Sequence, residues 1–352
     1  MNSKTSKKHD FGNEKIRTKT LNDYDAIMAT IAYFDIFDFP LKENELKKYL
    51  YRGNSTNFCF KNLIKIAGDE KIKKTGIGKT SAETQQFFVK NSPGIIDKSI
   101  KFCDEYIVLN NRESIVQLRK EREKRARKLW KKTRRYAYYM QCLPFIQMVA
   151  VCNNLSYDNP SEKSDIDLFV ICKKNRLYLG RTFLTFWLHV FGARRHHSKI
   201  SGRFCLSFFI SEDHLNLENI MLKNHDIYLA YWLKTLKPLF GKKTYIQLMK
   251  KNEHWHKKYF SEQSFHFDRL IPHGAFLKIV QTCQEWILNI TIAPLLEKWL
   301  KHWQQNRALK KARNLNQTFP NVIITDTMLK FHDKDTRKKI QKLWIQRWKK
   351  PL

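Results

Sequence analysis

Polar and basic side chains fill residues 1–20 with little to bury, which predicts a flexible tail and an ordered chain beginning near Leu21. Ile27, Ile31 and Phe34 then recur at helical spacing behind Asn22 and Asp23, either of which suits an N-cap. A turn at Phe39-Pro40 leads into a second helix carrying Leu46 and Leu50, and a third helical stretch over 58–67 ends at Gly68. Between Lys71 and Leu109 the runs QFFV and YIVL have strand character. From Arg112 to Arg135 there is neither Gly nor Pro, and Ile115, Leu118, Arg122, Arg125 and Leu129 trace a partly apolar stripe; this predicts one strongly basic helix.

The middle of the chain changes period. Met148 to Cys152 is an apolar run, a polar segment with Asn153, Asn154, Asp158, Asn159 and Pro160 follows, and a second apolar run to Cys172 is punctuated by Asp165 and Asp167. This predicts strand, loop, strand. An amphipathic helix over 175–191, a basic connection from Ala193 to Arg203, a strand over Phe204 to Ile210 and a helix over 226–240 closed by Pro238 and Gly241 come next. Beyond Lys242 the pattern is helical and aromatic, with Pro294 kinking the segment 276–303; polar residues from Lys278 to Glu297 make that segment too polar to span a bilayer. A strand-like VII run, a turn and a last helix with Ile340, Leu343 and Trp344 on its apolar stripe close the chain, with Asp333 or Asp335 as its cap. His332 beside that cap is either an acid–base group or a hydrogen-bonded neighbour of the helix start.

Alternation puts Asp165 and Asp167 on one side of their strand and Ile166, Leu168 and Val170 on the other. Two carboxylates about 7 Å apart along a rigid strand are a way of presenting oxygens to a hard divalent cation such as Mg²⁺ or Mn²⁺. Cations held there would clamp a triphosphate and activate an attacking hydroxyl.

Strand, spaced loop and the segment Ser164-Asp165-Ile166-Asp167-Leu168 together resemble the signature of the DNA polymerase beta-like nucleotidyltransferase superfamily. There a hydrophobic strand leads to Gly-Ser and an Asp-x-Asp strand follows a dozen or so residues later. The arrangement is most similar to bacterial nucleotidyltransferase-domain proteins with an N-terminal winged-helix-like segment, and Ser164 to Leu168 is its specific part. The resemblance implies Asp165 and Asp167 as catalytic metal ligands and an NTP as substrate, with transfer of the NMP to a hydroxyl or amine and release of pyrophosphate. Asn153 and Asn154 stand where Gly-Ser would be and would contact the phosphates, with Ser164 beside them; Arg176 and Arg181 are candidates to neutralise triphosphate charge. The family's third carboxylate has no counterpart inside Phe204 to Ile210, whose middle residue is Ser207; Glu212 and Asp213 follow it.

The implied architecture is α/β (α+β), a small mixed-sheet core over 136–241, with a winged-helix-like domain at 21–111, a basic connector helix at 112–135 and a helical domain at 242–352. The N-terminal segment suits either a DNA groove or a protein partner. The connector is either a solvated helix lying on the next domain or a surface that tracks phosphates.

Composition adds two things. Lys and Arg number 66 against 33 Asp and Glu, a formal charge of +33, which attracts nucleic acid first and an anionic membrane surface second, unless it reflects Lys-rich coding in an AT-biased genome. Within that excess, Arg194, Arg195, His196 and His197 are placed to meet phosphates, although His-His lacks metal-ligand spacing. Seven scattered cysteines without a Cys-x-x-Cys pair suit a reducing compartment, and no hydrophobic segment follows the basic N-terminus, so a cytoplasmic protein is expected. A catalytically degenerate, nucleic-acid-binding form of the same fold remains the alternative.

Overall fold

The computed structural model describes residues 21–53, 99–196, 199–223, 225–272, 274–314, 322–331 and 335–349. Strands β4 (Ile146–Val151) and β5 (Ile166–Cys172) form from apolar runs that are buried on both faces, and they pair antiparallel. Helix α4 (Leu177–Val190) carries the chain over one face to β6 (Phe204–Ser211), which returns parallel to β5. With β7 (Lys237–Phe240), β8 (Val322–Ile324) and β9 (Met328–Phe331) these make a six-stranded mixed sheet of order β7-β4-β5-β6-β9-β8.

Alternation along the central strands divides the core in two. Val149, Val151, Leu168 and Val170 pack with α4, with helix α3 (Ile115–Met140) and with Ala293 and Leu300 of helix α8 (Ala293–Asn314). Met148, Ala150, Phe169 and Ile171 face the other way, into helices α5 (Ile227–Thr235) and α6 (Lys242–His256). Two helical layers thus sandwich a sheet.

That second cluster also takes in helices α1 (Asp23–Asp35) and α2 (Glu43–Tyr49) near the start of the chain and α9 (Arg337–Lys349) near its end. Asn22 caps α1, its Oδ1 accepting from the Asp25 N–H at 2.7 Å. Trp344 of α9 is fully buried, lies parallel to the His225 ring, and its Nε1–H donates to the Ala29 carbonyl at 2.8 Å. A small sheet of order β1-β3-β2, from β1 (Leu41–Lys42), β2 (Ile100–Cys103) and β3 (Tyr106–Leu109), completes the N-terminal segment. One apolar cluster therefore runs through stretches that the sequence suggests as separate domains. The tail over 1–20, the third helix over 58–67, QFFV, His197, His332 and Asp333 lie outside the described residues.

Several boundaries differ from the sequence pattern. The basic helix runs from Ile115 to Met140, because Ala137 and Met140 continue its buried stripe. Its charges are not all solvated: Arg119 pairs with Glu45 and Glu123, each at 2.8 Å, and Arg122 donates to the Phe37 carbonyl at 2.9 Å. The helix expected to reach Phe240 stops at Thr235; Pro238, unable to continue a helix, sits in edge strand β7 against β4. Helix α7 (Ala275–Thr291) and α8 are separate, meeting at Ile292 rather than bending at Pro294. Asp335 accepts from the Arg337 N–H at 3.0 Å, as a capping residue does.

Candidate active site

Asp165 ends the polar loop and Asp167 is the second residue of β5. The loop is tied down at several points. Ser164 Oγ accepts from the Ser161 N–H at 2.9 Å, and the Ser164 carbonyl accepts from the Gly202 N–H at 2.8 Å. Upstream, β4 runs into a short 3₁₀ turn over Asn153–Tyr157, and Asn153 has φ +57°, a left-handed conformation that Asn tolerates better than most residues. That conformation aims its side chain at the strand: Asn153 Nδ2 donates to Asp167 Oδ2 at 3.0 Å, while Asn153 Oδ1 accepts from the Tyr228 hydroxyl of α5 at 3.2 Å. Asn154 Oδ1 accepts from the Tyr157 hydroxyl at 3.0 Å, within the turn itself.

Parallel pairing of β5 with β6 sets Cys205 opposite Asp167. One ligand atom from each of Asp165, Asp167 and Cys205 lies within 4.8 Å of the other two. Arg195, from the basic connection, donates from Nη1 to Asp165 Oδ2 at 2.6 Å and to Cys205 Sγ at 3.7 Å. The site is therefore two carboxylates, a thiol and a guanidinium at the end of the sheet where β5 and β6 begin.

Its electrostatics follow from burial. Desolvation, then the neighbouring Asp165 charge, pushes Asp167 up to about 6, although hydrogen bonds from Asn153 and Cys205 and the charge of Arg195 act the other way. Desolvation, then Asp167 and Asp165, pushes the Cys205 thiol up to about 12. Without a cation Cys205 is a neutral thiol that hydrogen-bonds the carboxylate.

The donor set fits a divalent cation. Ligands about 2.0–2.6 Å from one ion lie within ~5 Å of each other, as these three do. Asp165 and Asp167 would supply the charged oxygens that Mg²⁺ or Mn²⁺ takes, while the neutral Cys205 thiol stands beside them as a soft sulfur that such ions do not favour.

Arg176 and Arg181 are not brought to this site. Both follow the far end of β5 and lie on the α4 side of the sheet, where Arg176 donates to Asn289 Oδ1 at 2.9 and 3.0 Å. Arg181 is sunk against the Phe331 ring, 4.6 Å from its centroid, and pairs with Gln304. Glu212 and Asp213 also lie at that far end, Glu212 Oε1 accepting from the Lys174 N–H at 3.1 Å and Asp213 accepting from Ser211 Oγ at 2.5 Å. Cys205 and Tyr228 are the residues that pattern reasoning missed. Cys205 lies two positions from Ser207, next to a register shift in the β5–β6 pairing, and no acid marked it.

No protein-family model matches the chain, and neither a curated protein nor a solved structure matches it.

Proposed function

We propose that the protein is a metal-dependent nucleotidyltransferase, moving an NMP from an NTP to an acceptor hydroxyl or amine. The acceptor atom bonds to the α-phosphorus, the bond to the β-phosphate oxygen breaks, and pyrophosphate leaves. The observation that carries this reading is the convergence of Asp165, Asp167 and Cys205 where two parallel strands begin, on a strand–loop–strand unit followed by a helix and a third strand. A divalent cation held there, Mg²⁺ or Mn²⁺, would neutralise the triphosphate and lower the acceptor's pKa. The same cation would favour the ionised form of Asp167, whose carboxyl burial otherwise pushes up, so that both aspartates serve as ligands. Asn153 and Tyr228 hold the Asp167 carboxylate in place, and Arg195 offers a positive charge that a phosphate oxygen can share with Asp165.

Two features favour a second reading, a catalytically degenerate form that binds nucleic acid through the basic surface. Arg195 already pairs with Asp165, and the third group beside the two carboxylates is a thiol rather than an acid. The test is transfer of label from α-labelled NTPs, with Mg²⁺ or Mn²⁺, into RNA, protein and small-molecule fractions of a cell extract. Label with wild type and none with Asp165→Asn/Asp167→Asn supports the enzyme and names the acceptor class. No label and no metal-dependent NTP binding, with salt-sensitive RNA or DNA affinity, supports the second reading.

A further inference from the structure

Helix α7 is amphipathic in the inverted sense. Its buried residues are polar: Gln281 Nε2 donates to the Leu143 and Ile146 carbonyls at 3.0 and 2.9 Å, and Glu285 accepts from the Phe145 N–H at 2.8 Å and pairs with Lys173 at 2.6 Å. Most of its large apolar residues turn to solvent, while Leu288 packs partly against the core. Phe276, Ile279, Trp286 and Ile290 recur at helical spacing, with Phe276 73% and Trp286 67% exposed. Helix α8 buries Ala293 and Leu300 and turns Glu297 inward, where it accepts from the Tyr178 and Leu179 N–H groups at 2.9 and 2.8 Å, while Leu295, Trp299 and Trp303 are exposed, Leu295 at 72%. Apolar stripes on two consecutive helices, held in that orientation by inward contacts that are polar on α7 and both polar and apolar on α8, are not scattered surface hydrophobes; they mark a contact face.

Charge decides what covers it. Each chain carries a formal +33, so a second copy would bring the same excess to the same face. Nucleic acid answers the charge but has no large apolar surface to bury Leu295 or Ile290. An anionic bilayer answers both: aromatic and aliphatic side chains enter the boundary between headgroups and acyl chains, and basic residues meet the phosphates. Lys298 is exposed beside Leu295 and Trp299, and the Arg307 guanidinium lies 5.5 Å from the Trp303 ring centroid. No helix among the described residues is long and apolar enough to cross a membrane, so the contact is one of lying on the surface. We propose that the α7–α8 face is an interfacial docking site for an anionic lipid bilayer.

The test is sedimentation of the full-length protein with vesicles of phosphatidylcholine alone or mixed with phosphatidylserine, followed also by tryptophan emission. We expect partitioning onto the mixed vesicles with a blue shift, and at least a tenfold loss of partitioning in Trp286→Gln/Leu295→Gln, whose circular dichroism and melting should match wild type because both side chains are exposed. Three results would overturn the proposal: no partitioning of wild type, partitioning unchanged in the variant and removed by salt, or a wild-type dimer in sedimentation equilibrium that the variant loses. The first leaves no lipid site, the second reduces binding to charge, and the third assigns the face to a second copy.

Discussion

Asp167 holds its proton more tightly folded than unfolded, since burial raises its pKa from an ordinary value near 4 to about 6. The stability this contributes is complete below pH ~4 and is lost as pH rises through 6, leaving an ionised, buried carboxylate at neutrality. In chelator-treated protein Asp167→Asn should therefore be more stable than wild type at pH 8, by on the order of 2 kcal/mol, with the gain vanishing near pH 4. Urea unfolding at the two pH values checks this, and a loss of stability at pH 8 would contradict it. Arg195→Ala removes the cation beside Asp165, so added Mn²⁺ should raise the melting temperature more in the variant than in wild type, as read by calorimetry. The aspartates were legible because a polar residue repeated at period two in an apolar run has few explanations. Cys205 was not, because alternation assigns a face but says nothing about the register between two strands.

At the scale of elements, the junction of β7 and α6 is the least tolerant point. Gly241 has φ +82°, and a Cβ there would sit 2.2 Å from the Gln147 carbonyl oxygen and 2.7 Å from Met148 Cα, both backbone atoms that cannot step aside. Gly241→Ala should cost at least ~2 kcal/mol, seen as a lower urea midpoint, through strain on the strand that leads to Asn153. The central strands and α4 were readable from their apolar periods. The end of α5 was obscured because Leu233, Leu236 and Leu239 continue an apolar pattern past the last helical residue, and pairing with β4 decided the matter. Helix α7 shows the opposite failure: its amphipathicity is plain in the sequence, yet nothing local says that Gln281 and Glu285, rather than Phe276 and Trp286, turn inward. Only the carbonyls and N–H groups of 143–146 supply that preference.

Across the whole molecule, three histidines make the fold sensitive to acid. Burial pushes His225, His256 and His266 each down to about 3, so the folded protein keeps them neutral while the unfolded chain protonates near pH 6.5. Their contribution is present above pH ~6.5 and is lost as pH falls toward 3, about 2 kcal/mol each by pH 5. Asp167 gains over part of that range but is outweighed three to one, so stability at pH 5 should fall well below that at pH 7, and equal urea midpoints would contradict this. His225 also stacks on Trp344, 5.5 Å away, which binds the last helix to the first; Trp344→Ala should cost about 3–5 kcal/mol. The Trp344 contact to Ala29 spans 315 residues of chain. A ribosome adding about 5–20 residues per second leaves the part of α1 that Trp344 covers exposed for roughly 15–60 s before that side chain is made. The newborn chain thus carries part of its first helix uncovered until its last helix has been made.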